Sequence, residues 1–156
     1  MNILLIFILV YAGFIAMSFW ESSVEGRNAW DKGKYGWKIK IGKYVILTKY
    51  HFFLTYVMLP SFLALPLVTY GWDIRLFGVL LSAASSGIVI EDFFWYVLNP
   101  KVKFKEFFSS FSDYYPWIKI NGRKIIPRFY ILSILIAFLS WYFLWRYIIR
   151  FKYHFL

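Results

Sequence analysis

Four long apolar runs organise the chain, separated by two long polar stretches and one three-residue turn. The first run, residues 2–20, carries no charge; the second extends from about His51 to Tyr70, the third from Ile74 to Leu98, and the last from Pro127 to about Ile149. Each approaches or exceeds the roughly 20 residues that take an α-helix across the hydrocarbon core of a bilayer. The first run lacks the basic flank and small-residue cleavage site of a removable signal, so it reads as a retained span. Its helix is expected to continue through Glu21-Ser22-Ser23-Val24-Glu25 and to stop at Gly26, with Glu21 and Glu25 on one face. Only Gly71-Trp72-Asp73 separates the second run from the third, which predicts antiparallel neighbours.

The polar stretches, residues 21–50 and 99–126, follow a different period. Trp37-Lys38-Ile39-Lys40-Ile41, then Gly42-Lys43, then Tyr44 to Leu47 alternates, turns and alternates again, which predicts a β-hairpin. Residues Trp117 to Ile126 predict a second hairpin around Asn121-Gly122, a strong two-residue turn signal. Between them Phe104, Phe107, Phe108 and Phe111 recur at the spacing of a short amphipathic helix lying in the membrane interface. Tyr35-Gly36-Trp37 and Tyr115-Pro116-Trp117 recur at an offset of 80 residues, as do Gly42-Lys43 and Gly122-Arg123. The echo suggests a repeated helix, hairpin, helix unit, although the helices themselves do not match. Within the runs, Pro60 and Pro66 interrupt the second, and Ser82-Ala83-Ala84-Ser85-Ser86-Gly87 lets neighbouring helices approach the third closely, which makes it the central helix of the bundle.

Composition fits this reading. The 156 residues are 61% hydrophobic and 25% aromatic, with no cysteine, so disulfides and thiolate metal sites are excluded. The net charge of +10 arises from bases that flank apolar runs, which argues for a lipid bilayer and anionic headgroups as partners and against nucleic acid. Fourteen of the 18 basic residues lie on the two long stretches or, for Arg128, two residues beyond the second. Arg75, Arg146, Arg150 and Lys152 lie on the other side. The positive-inside rule then puts the long loops in the cytoplasm and both termini outside. The expected fold is a single integral membrane domain over residues 1–156: an all-α, four-transmembrane-helix bundle with two short cytoplasmic β-hairpins and an interfacial helix, residing in the cell membrane as a multi-pass protein.

The chemistry concentrates on acids. Glu91 and Asp92 lie in the third run, roughly 12 Å before Asn99 at 1.5 Å per residue, and point about 100° apart. Glu21 and Glu25 leave the first helix at the same level and His51 enters the second there. Carboxylates within a span are costly and mark function by default, so Glu91 and Asp92 are the candidate catalytic carboxylates. With Glu21, Glu25 and His51 they form a candidate set of oxygen and nitrogen ligands for a divalent metal such as Mg, Mn, Zn or Fe. A metal there would serve a pocket at the cytoplasmic face that acts on a lipid or amphiphile. Two alternatives remain: a structural or assembly subunit of a membrane complex, in which each acid sits beside a lysine or arginine, and a proton- or cation-coupled transporter. The outer half of the bundle offers no second intramembrane charge for transport. Serine-hydrolase, phosphate-loop and dinucleotide motifs are absent.

Overall fold

The computed structural model describes residues 2–30, 33–41 and 45–147. The first helix, α1 (Ile3–Glu25), starts where the Asn2 side chain accepts the Leu5 N–H and ends at Gly26, whose φ of 55° suits glycine and whose N–H returns to Ser22 O. Strands β1 (Lys38–Ile41) and β2 (Val45–Thr48) pair antiparallel; the expected turn at Gly42-Lys43 lies outside the described residues. The second long helix begins as α2 (Lys49–His51), passes through a π-helical segment (Phe52–Met58) and continues as α3 (Leu59–Tyr70). Pro60 explains the widened turn: it has no N–H to give Tyr56, and its ring crowds that carbonyl. In the π register the Leu59 N–H reaches back to Leu54 O instead.

Asp73 caps α4 (Ile74–Leu98), its Oδ1 accepting the Arg75 and Leu76 N–H groups at 2.8 Å each. The helix covers the third apolar run and occupies the centre. Within its most apolar 18-residue stretch 44% of residues are buried, against 11%, 6% and 17% for the corresponding stretches of the first, second and last long helices. The small residues explain how. A Cβ added at Gly87 would meet the Phe14 ring of α1 at 2.2 Å, and one at Gly78 would meet Leu144 Cβ at 2.6 Å, so α4 touches a helix on each side. Tyr11 and Ser86 share a hydrogen bond across the α1–α4 seam at 2.8 Å, and Ser18 Oγ donates to Glu91 O at 2.8 Å.

Strands β3 (Trp117–Ile120) and β4 (Arg123–Pro127) form the second hairpin, with Asn121 and Gly122 both at positive φ (50° and 76°), as a tight type I′ turn requires. The last helix, α5 (Arg128–Leu139), opens directly after Pro127 and runs into a second π-helical segment (Ser140–Tyr147). Residues 148–149 of the expected last span, and the basic tail beyond, lie outside the described residues.

Two expectations change. Residues 104–111 do not form an amphipathic α-helix; they make two short 3-10 turns, Phe104–Phe108 and Ser110–Ser112. Serine is the reason: Ser109 Oγ donates to Glu106 O and accepts the Phe111 N–H, and Ser112 Oγ donates to Phe107 O, so side chains take up the groups a helix would pair. Phe107 is driven inward rather than laid along an interface, and joins Trp95, Tyr96, Val102, Trp117 and Tyr130 in an aromatic core that closes the loop end. The second departure is that α3, although tethered to α4 by three residues, buries none of its own. It touches α4 but stands apart from α1, with a cavity between them.

Candidate functional site

The loop end is built by joining the two long loops over the helix ends. Asn99 Nδ2 donates to Gly26 O at 2.7 Å while its Oδ1 accepts the Lys101 N–H, and Arg27 donates to Lys101 O at 2.8 Å. These bonds align the last turns of α1 and α4, two parallel helices, so that Glu21, Glu25 and Glu91 reach one level.

Glu21, Glu25 and His51 each offer a ligand atom, and the three atoms lie within 4.8 Å of one another. All three side chains are largely buried. Glu91 lies beside Glu21 but is not one of the three that share this ligand-sized space. Carboxyl groups that close need a shared proton or a cation between them. Tyr50 Oη donates to Glu21 Oε1 at 2.9 Å. Lys34 Nζ stands 2.5 Å from Glu25 Oε1, and His51 Nε2 lies 3.9 Å from the same oxygen. Thr48 Oγ1 holds His51 Nδ1 at 2.8 Å and also accepts the His51 N–H, so the imidazole turns Nε2 toward the acids. Trp30 packs on the imidazole with ring centroids 4.4 Å apart and lies parallel to the Tyr114 ring at 6.3 Å. Its φ of 60° is unusual for a bulky residue.

Asp92 goes elsewhere. Its Oδ1 accepts from Tyr115 and its Oδ2 from Tyr130 at 2.5 Å, inside the aromatic core. Burial and the Asp92 carboxylate push the Tyr115 phenol well above its ordinary range, so it stays protonated and donates. Tyr114 is raised likewise, chiefly by burial, and shares a hydrogen bond of 2.5 Å with Tyr96. The five residues singled out from sequence thus divide: Glu21, Glu25 and His51 share one space, Glu91 borders it beside Glu21, and Asp92 is held in another. No lysine or arginine contacts Asp92 among the described residues.

Sequence reasoning missed Lys34, Tyr50 and Trp30, which come from or border an irregular loop without periodicity. It also missed the two phenols on Asp92, although Tyr115 lay in the echoed Tyr-Pro-Trp and Tyr130 one turn into the last run.

A cavity of about 770 Å³ opens beside Glu25, between α1 and the start of the second long helix, with Trp20, Lys34, Lys49, Phe53 and Met58 in its walls. The arrangement can therefore hold a cation on carboxylate and imidazole ligands, or move a proton among them, next to a mostly apolar space. Comparison with protein-family models, curated proteins and solved structures finds no match.

Proposed function

We propose that the chain is a multi-pass membrane protein, with long loops cytoplasmic and termini outside, that binds a divalent cation on Glu21, Glu25, His51 and Glu91 and acts there on a lipid or amphiphile. The observation that carries this reading is the set of three ligand atoms within 4.8 Å at the wall of a largely apolar cavity. Oxygen donors with one imidazole suit Mg, Mn, Zn or Fe, and such an ion would activate water or polarise a phosphate. Asp92, engaged by two phenols, serves to position the loop cap. Lys34 occupies the place of the cation: its ammonium neutralises Glu25 and would have to swing away on binding.

That same ion pair favours a second reading, a non-catalytic subunit whose acids are neutralised internally. Elemental analysis of the detergent-purified protein after dialysis against a mild chelator separates the two. The metal reading expects a stoichiometric divalent ion in the wild type that is lost in both Glu25→Gln and Glu91→Gln and retained in Lys34→Ala. No metal in the wild type, with Lys34→Ala less stable than the parent, would leave the subunit reading in place.

A further inference from the structure

The cavity beside Glu25 does not end at the acids. It shares Trp20 and Met58 with a second cavity of about 430 Å³, lined only by nonpolar residues including Gly13, Phe14, Leu59 and Phe62, so the two form one groove along the seam between α1 and the second long helix. Gly13 makes the floor. A Cβ added there would meet nothing within 4 Å, so this glycine, unlike Gly78 and Gly87, opens space that the protein's own packing leaves unfilled. The upper end is polar and basic: Asn28, Lys34, Tyr35 and Lys49 surround Glu25. Glu25 is matched by Lys34, and the Lys49 ammonium makes no ion pair among the described residues. Lys49 thus lines the polar end of a groove whose other end is wholly apolar.

We propose that this groove binds one anionic phospholipid, an acyl chain lying over Gly13 between α1 and α3 and the phosphate set against Lys49 at the mouth. Charge and shape agree on that occupant. Both volumes fall in the range of ligand sites, roughly 300–1,000 Å³. A helix of a second copy, about 10 Å across and apolar along its length, would gain nothing from the lysine and tyrosine at one end. A membrane-surface lysine attracts anionic headgroups over zwitterionic ones. The inference rests on the membrane-spanning part of the reading above and not on a bound cation; where a cation is present, it would put the lipid phosphate within reach of it.

The test uses the full chain purified in detergent, exchanged into mixed micelles containing phosphatidylglycerol or phosphatidylcholine, with retained lipid read by native mass spectrometry and phosphorus assay. Wild type is expected to hold about one phosphatidylglycerol per chain. Gly13→Phe, which fills the channel and replaces a poor helix former, should lower retention about tenfold with no loss of thermal stability. Lys49→Ala, which removes the phosphate partner but leaves the apolar channel open, should weaken phosphatidylglycerol retention and cut its preference over phosphatidylcholine about fivefold. Unchanged retention in Gly13→Phe overturns the proposal, as does equal retention of both lipids by wild type. A dimer that Gly13→Phe dissociates would overturn it too, by making a second copy the occupant. Elemental analysis of the same samples keeps the two readings apart: lipid without metal removes the cation site alone, and metal without lipid removes this one.

Discussion

The chain contains the same sequence of parts twice, and the two versions are packed differently. Each runs helix, loop, hairpin, helix, and in each the first residue of the closing helix donates its N–H to a carbonyl just before the hairpin: Lys49 to Trp37 O at 3.0 Å and Arg128 to Pro116 O at 2.9 Å. In the second version the loop folds inward, and Phe107, Trp117 and Tyr130 close on Trp95 and Tyr96 of α4. In the first, all four residues of β1 are exposed, Trp37 is 40% exposed, and α3 buries nothing. The difference shows where each half places its aromatic side chains. The second half uses them as a core that holds the bundle's loop end together; the first leaves a groove, and the acids, imidazole and lysine gather at its mouth.

The echoed tryptophans break or sharpen this comparison with the largest effect. Trp117 is buried outside the apolar span, where water-based packing energetics apply, and its indole N–H donates to Ser112 O at 2.9 Å. Trp117→Ala should cost about 3–5 kcal/mol, the range for aromatic truncation in a core, and Trp37→Ala under about 1 kcal/mol. Unfolding in mixed micelles measures both. Equal costs would mean that the first hairpin is seated as firmly as the second.

Much of this was legible because the signals were local. Ile74–Leu98 is bounded by an aspartate that caps and by Asn99-Pro100, and both limits held. Asn121-Gly122 demanded positive φ and took it. The six small residues implied close approach, and Phe14 against Gly87 is that approach. What was illegible was which apolar faces meet protein. Phe62, Leu65 and Val68 are as hydrophobic as Val79 and Leu80, yet the first three are exposed and the last two buried, because an apolar face left open and one turned toward a helix have the same composition. The phenylalanines at 104–111 carried a helical period that serine side chains overrode locally. The site was half visible: acid spacing placed Glu21, Glu25 and Glu91 at one level, but Lys34 and Trp30 reach it from irregular backbone, which no periodicity describes.

A smaller effect tests whether the two acid environments are separate. Asp92→Asn keeps a carbonyl for one phenol and sets an amide N–H₂ against the other, so Tyr115 or Tyr130 loses a charged acceptor. The expected cost is about 1–3 kcal/mol, with metal content and lipid retention as in wild type. Glu25→Gln should do the reverse, altering the mouth of the groove with little effect on the aromatic core. If Asp92→Asn abolished metal binding, the four-residue cluster and Asp92 would be one site and the contrast between the halves would fail at its centre.

The smallest effect lies in the contact that ties the two loops together at the surface. Arg27 holds Glu106 with two hydrogen bonds, 3.1 and 2.7 Å, and the Lys103 N–H adds a third at 3.0 Å. Hydrogen bonding from Arg27 and then from the Lys103 N–H lowers the Glu106 carboxyl from 4.5 to about 2. The folded value lies below the unfolded one, so the stabilisation is fully present above about pH 4.5 and is lost as the pH falls toward about 2. Thermal unfolding followed across that window should show a slope that Glu106→Gln reduces. It should not abolish it, because Lys124 likewise holds Asp113 below the usual carboxylate range. The pair is solvent-exposed, so its contribution is small and shrinks with added salt. A loss from Glu106→Gln as large as that from Trp117→Ala would mean that surface charge, rather than the α1–α4 seam and the aromatic core, keeps the open half docked on the closed one.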